Sequence, residues 1–202
     1  MDKKIVMPGD MIADSEFRAP NTYVEAGVTY ATVVGVLDSE GKYIPLENKY
    51  CPALGDIVVG IILEKRPVGY SVDINLPNSG FISSKETREI FELGDFFMAK
   101  VKRANEVGEA DLTDVRLLPR GKVVEFPSAK VPRLIGRKSS MLALLKEQSG
   151  GDIVVGNNGF VWISETGNIP LVLRAMKIIE AKAHLSGLTD EIAAFLAKQK
   201  VK

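Results

Sequence analysis

The chain has 202 residues and a hydrophobic share of 46%, enough for one large domain or two to three small ones with a real core. One cysteine, Cys51, and one histidine, His184, exclude an intramolecular disulfide, a cysteine-based zinc knuckle or ribbon and a histidine-rich metal site. Zero net charge conceals an uneven distribution. Lys+Arg against Asp+Glu is 5 against 8 in residues 1–51, 10 against 12 in 52–125 and 11 against 6 in 126–202. The last third would therefore favour an anionic partner.

No apolar run approaches the roughly 18 residues that span a bilayer, so no transmembrane helix is expected. The opening "MDKKIVMPGDMIADSEF" has a proline and acids where a signal peptide needs an apolar stretch, which predicts a cytoplasmic protein. Pro8-Gly9-Asp10 marks a turn. "VTYATVVGVLDSEGKYIPLE" has two β-rich runs around Asp38-Ser39-Glu40-Gly41, a hairpin signal. Residues 1–52 thus read as a small antiparallel β unit, too small to be very stable without a neighbour.

Residues 53–125 carry strand candidates at Ile57–Leu63, Tyr70–Ile74, Phe81-Ile82, Phe96–Val101 and near Lys122–Val124. Between the third and fourth, "SSKETREIFELG" predicts a short helix around Ile90 and Phe91. Short strands separated by turns suggest a closed five-stranded barrel of the OB type.

Residues 126–202 change character. Met141–Gln148 reads as helix, and "DIVVGNNGFVWI" as a hairpin whose turn, Gly156-Asn157-Asn158-Gly159, is built from residues that tolerate φ > 0. Leu171–Leu185 carries Val172, Met176, Ile179 and Ala183 at helical spacing, with His184 on its surface. A last helix follows Thr189 as N-cap, with Asp190 and Glu191 in its first turn and Ile192, Phe195 and Leu196 as packing face. Trp162 reads as core.

The order strand, glycine-basic-basic-small loop, helix, strand, strand, long helix in "LIGRKSSMLALL" and beyond is similar to a KH domain, which grips single-stranded nucleic acid with a G-x-x-G loop. Here the loop is Gly136-Arg137-Lys138-Ser139. Missing Cβ atoms admit phosphate, a helix start offers N–H groups, and Arg137 and Lys138 supply charge. Serine replaces the last glycine; it can cap the following helix, and its side chain would crowd a phosphate. "GDIVVGIILEKRPVGYSVDINLPNSGFISSKE" and "LGDFFMAKV" resemble an S1 domain. Together with "VMPGD", "TYATVVGVLD" and "YIPLENKYCPALGDIVVGII", nearly the whole chain resembles the S1/KH cap subunit of the archaeal RNA exosome.

That resemblance implies a mainly β, multidomain fold: an N-terminal antiparallel β unit (1–52), an S1-type OB barrel (53–125) and an α/β KH domain with C-terminal helices (126–202). It implies a non-catalytic RNA-binding role with no cofactor, no metal and no membrane. The partners would be single-stranded RNA with a preference for adenine-rich tails, the hexameric RNA-degrading ring docked by the N-terminal unit, and further cap subunits in a trimer. The turn Gly156 to Gly159 would be a packed junction with the barrel.

Aligned on S1 domains, the places of the base-stacking aromatics on the second strand hold Val68 and Ser71 and that of the third-strand histidine holds Ser83, while Tyr70 and Phe81 read as core. Charge is left as the main grip on RNA: Lys65, Arg66, Lys85, Arg88 and Arg103 in the barrel, with Gly136, Arg137, Lys138 and Ser139 in the KH loop. Plain solvated surface charge is the alternative for each cation. A free-standing S1/KH factor of translation or transcription is the alternative for the whole chain. No Ser/His/Asp or Cys/His set and no P-loop supports an enzyme.

Overall fold

The structure, a computed structural model, describes residues 4–17, 21–37, 41, 43–45, 50–105, 109–183 and 187–200. The chain divides into two compact units, Met1–Cys51 and Pro52–Lys202. His184, expected on a helix surface, and Asp38-Ser39-Glu40 of the predicted hairpin turn lie outside the described residues.

The first unit holds two three-stranded antiparallel sheets. One has the order β1 (Lys4–Val6), β5 (Gly35–Leu37), β6 (Tyr43–Pro45); the other β2 (Met11–Ala13), β4 (Val28–Ala31), β3 (Thr22–Glu25). The Pro8-Gly9 turn is closed twice: the Asp10 amide donates to the Met7 carbonyl (3.0 Å), and the Met7 amide donates to Asp10 Oδ2 (2.8 Å). Its core is small, built on Val6, Ala31 and Tyr43. The Tyr43 hydroxyl donates to the Val33 carbonyl at 2.6 Å, and burial raises its pKa.

In the second unit β7 (Ile57–Arg66), β8 (Gly69–Asp73), β9 (Gly80–Ser83), β11 (Ala110–Leu117) and β10 (Phe96–Ala104) close into a barrel in that order. All pairs are antiparallel except β9 with β11. Val58, Ile62, Val72, Ile82, Phe97 and Leu112 are fully buried, the inward half of each strand's alternation.

Two expectations for this region are corrected. The closing strand is Ala110–Leu117; Lys122–Val124 forms a strand that pairs elsewhere. Its alternation was hard to read because Asp114, at φ 51°, shifts the phase from Ala110 and Leu112 to Val115. The segment "SSKETREIFELG" forms turns and no helix. Its polar side chains bond outward, since Glu86 holds Lys102 and Thr113 and Glu89 accepts from the Leu117 amide (2.6 Å). Phe91 alone dives inward, where it meets Tyr70 edge-on with ring centres 5.3 Å apart.

The remaining residues form the sheet β12 (Gly121–Glu125), β14 (Phe160–Ser164), β13 (Ile153–Val155), all antiparallel. Against it pack α1 (Val131–Ile135), α2 (Ser140–Ser149), α3 (Ile169–Lys182) and α4 (Leu188–Lys200). The layout differs from the predicted one by α1, which stands between the first strand and the basic loop. Pro132 near its start suits a first helical turn, where no amide partner is needed. Thr189 lies inside α4 and is not its N-cap; the helix begins at Leu188, which is itself buried. Ile192 and Leu196 are buried and Phe195 packs beside them. Trp162 is core, clustered with Phe160 and the barrel residue Val59, so sheet and barrel share apolar contacts.

Candidate nucleic-acid interface

The outer face of the barrel carries a groove of about 460 Å³ lined by Phe81, Ser83, Lys85, Glu86, Lys102, Arg103, Asp111 and Leu112. Strand register explains how distant residues meet there. Phe81 on β9 pairs with Ser71 on β8 and with Asp111 on β11, and Asp111 pairs with Arg103 on β10. Paired residues on neighbouring strands face the same side, so Ser71, Phe81, Asp111 and Arg103 form one row across the sheet. The neighbours of Phe81 and Asp111 in sequence, Ile82 and Leu112, point into the core.

Phe81 was expected in the core and is not. It is half-buried and lines the groove, its ring lying across Gly69: a Cβ built there would meet the ring at 2.9 Å. Tyr70 is the inward one, its hydroxyl accepting weakly from the Phe91 amide at 3.4 Å. Of the aligned S1 positions, Val68 is exposed, Ser71 buried, and Ser83 half-buried with its hydroxyl accepting from the Lys85 amide (3.3 Å).

Among the predicted cations, Lys85 and Arg103 come together in the groove. Lys65, Arg66 and Arg88 are exposed and do not line it. Arg66 sits at the β7–β8 tip beside Gly69, its Nε donating to Glu64 at 3.0 Å. Sequence reasoning missed Lys102, which donates to Glu86 Oε1 at 2.6 Å, while Thr113 donates to Oε2 at 2.6 Å. These hydrogen bonds, Lys102 first, lower the pKa of Glu86; the same contact raises that of Lys102. Alternation along Phe96–Ala104 was the signal available for Lys102.

The second candidate lies between α1 and α2. Gly136 ends α1 at φ 75°, its amide donating to the Pro132 carbonyl (3.0 Å), and a Cβ there would come within 2.7 Å of the Met141 nitrogen. Arg137, Lys138 and Ser139 are exposed, with Lys138 and Ser139 both at positive φ (51° and 61°). Arg133, one turn earlier on α1, is exposed as well and was also missed. Ser139 was expected to be able to cap α2, but its side chain makes no capping hydrogen bond, because a left-handed backbone aims it away from the helix's first amides. Ser139→Gly should therefore lose nothing at the cap and relieve about 1 kcal/mol of left-handed strain. Thermal unfolding should show the midpoint rise by roughly 2–4 °C.

The turn Gly156 to Gly159 lies against the barrel. Asn158 is 0% exposed: its Nδ2 donates to the Val59 and Ile74 carbonyls (2.7 and 2.8 Å), and its Oδ1 accepts from the Val59 amide (3.3 Å). Asn157 donates from its backbone to Ile57 (2.8 Å) and from its side chain to Asp56 (2.8 Å), and Asn75 Nδ2 reaches the Asn158 carbonyl (3.0 Å). Only Gly159 uses positive φ, at 85°. Gly156 matters for clearance, since a Cβ there would fall 2.1 Å from Asn158 Oδ1.

A closed five-stranded barrel with a cationic, aromatic-edged groove, joined to a β–α–loop–α–β–β–α unit, defines a chain of the OB-barrel-plus-KH class. Family comparison agrees at both ends. The description "Exosome RNA binding protein RRP4 N-terminal domain" matches residues 3–47, and "KH domain" matches residues 121–167. The chain belongs to the family of the exosome complex component Rrp4. It is 33% identical to that component of Methanosarcina mazei, over 100% of this chain and 85% of that one. With that of Thermococcus kodakarensis it shares 34% identity, over 96% and 85%. A crystal structure provisionally described as an exosome complex RNA-binding protein superposes with a TM-score of 0.65 at 32% identity, covering 75% of this chain and 97% of the other.

Proposed function

We propose that the chain is a non-catalytic RNA-binding cap subunit of the exosome, a complex that degrades RNA from the 3′ end. It holds a hexameric ring in a three-fold cap and delivers single-stranded RNA, adenine-rich tails included, to the ring's degrading subunits in the cytoplasm. The observation that carries this reading is the whole-length likeness to Rrp4 components, with barrel and KH unit in one compact body. Lys65, Arg66, Lys85, Arg88 and Arg103 on the barrel and Gly136 to Ser139 in the KH loop serve RNA, with Phe81 and Lys102 added from the groove. The turn Gly156 to Gly159 serves as the junction.

Ring docking by the N-terminal unit is supported by its surface. Ile5, Met7, Met11 and Phe17 are each more than half exposed, and among the described residues the buried hydrophobic cluster of this unit is Val6, Ala31 and Tyr43. So much apolar surface on so small a core is what a neighbouring protein would stabilise. Among the described residues no helix is long and apolar enough to cross a membrane, and no group of three or more His, Cys, Asp or Glu is placed to hold a metal.

Native mass spectrometry of the tagged chain with its co-purifying proteins tests the assignment. A stable assembly with ring subunits and several copies of this chain is expected; a lone monomer that ignores both ring and RNA would overturn it.

A further inference from the structure

The sheet β12–β14–β13 leaves one edge of β12 without a neighbouring strand among the described residues. In antiparallel pairing, alternate residues exchange hydrogen bonds with the partner strand and those between them turn their N–H and C=O groups away. Two bonds at the ends of β12 set the phase. The Phe126 amide donates to the Gly159 carbonyl (2.8 Å), and the Glu165 amide donates to the Arg120 carbonyl (3.3 Å). Lys122 and Val124 therefore bond to β14, while Val123 and Glu125 aim their backbone groups outward, where no described residue meets them. Lys122 and Glu125 are exposed and Val123 and Val124 half-buried, so the edge is open. Beside it, between β12 and α3, lies a groove of about 240 Å³ with an apolar floor of Val124, Phe126, Leu173 and Met176. Arg174 and Lys177, one turn apart on α3, stand on its rim, exposed and in no ion pair with a described residue. Two carboxylates are near. Glu125 alternates to the face of Val123, away from Val124, and at Glu180 the backbone carbonyl accepts from Lys130 Nζ (3.0 Å), which brings a further cation there.

We propose that this edge and groove form a docking site for an extended peptide segment of a partner protein. The segment adds to β12 as a fourth strand, seats an apolar side chain in the groove and sets a carboxylate against Arg174 and Lys177. An open edge holds a chain through main-chain bonds, and a flanking pocket selects it by alternate side chains. Side chains two apart on a strand share a face, so the recognised pattern is apolar, any residue, acidic. A second copy of β12 is the poorer occupant, because edge-to-edge pairing about a two-fold axis would bring two sets of the same cations together. Nucleic acid has no row of amides and carbonyls to match the edge, and the apolar floor offers phosphate nothing. Peptide capture here is independent of RNA binding on the barrel.

Fluorescence anisotropy of the full chain tests this with a labelled short peptide of alternating threonine and valine, one valine replaced by glutamate. Saturable binding by wild type is expected. Alternate amides of an added strand face the edge, so N-methylating the threonine amides and N-methylating the others should give unequal losses. One form should lose about tenfold, the worth of two ordinary hydrogen bonds, and the other little. Lysine in place of the glutamate should cost about fivefold, and Arg174→Glu with Lys177→Glu should reverse that order. Glu125→Pro removes one outward N–H at a place where an edge strand tolerates proline, and should weaken every probe about tenfold with the unfolding midpoint kept. Should that midpoint fall, the two charge reversals on α3, which leave the ladder untouched, carry the test. Equal losses from both methylations, or no saturable binding by wild type, would overturn strand addition. So would a chain that dimerises, excludes the probe and returns to monomer with Glu125→Pro, since β12 would then pair with its own copy.

Discussion

Replacing Asn158 with alanine should destabilise the unit Pro52–Lys202 by about 3–5 kcal/mol. Three backbone groups depend on this one side chain: the amide and carbonyl of Val59 and the carbonyl of Ile74. Alanine leaves them buried without partners, at about 1–3 kcal/mol each, and water entering the vacated space would offset only part. Asn158→Asp tests the direction of the hydrogen bonds. A carboxylate has nearly the same shape but no donors, and would set negative charge against two carbonyl oxygens, so it should be at least as harmful as alanine. Asn157→Ala is the mild control: it removes one side-chain bond, to Asp56, from a half-buried position. Urea unfolding followed by tryptophan fluorescence suits the measurement, because Trp162 sits in the cluster shared by barrel and sheet. Equal midpoints for Asn158→Ala and wild type would mean that this turn does not hold the two modules together.

The second large effect is electrostatic. Lys85→Ala combined with Arg103→Ala should weaken single-stranded RNA binding about tenfold at low salt. The salt slope should fall by about 1.4, the release of two phosphates' counterions. Both cations line the same groove as Phe81, so under the proposed function their phosphate contacts would add to stacking on its ring. Arg137→Ala with Lys138→Ala should flatten the slope by a similar amount if the KH loop holds phosphate too, and the four-fold variant should then lose the sum of both. Neutralising Lys65 and Arg66 should do less, since Arg66 is already paired with Glu64. Filter binding across a salt series separates these cases. A slope unchanged in every variant would show that neither surface carries the strand.

Much of this fold was written in local chemistry. The β-branched runs at Ile57–Leu63 and Ile153–Val155, the glycine and asparagine turn after them and the helical spacing of Val172, Met176 and Ile179 need only a few residues of context. The basic loop Gly136 to Ser139 was legible for the same reason, as were Lys85 and Arg103 as exposed charges.

What tertiary structure decided was pairing and direction. The apolar run Gly121–Glu125 specifies a strand but not a partner; packing against Trp162 and its neighbours assigns it to β14 and leaves Ala110–Leu117 to close the barrel. Phe81 carries no local mark of facing outward. It does so because Gly80 and Ile82 on either side are drawn into the core, and Gly69 on the next strand leaves the space its ring covers. Asn158 could be read as a turn former, yet its role as a bridge depends on residues about 84 and 99 positions away along the chain. Propensity and periodicity act over a turn or a strand. Which side chains meet in the groove depends on strand register, and that is fixed only when the whole barrel closes.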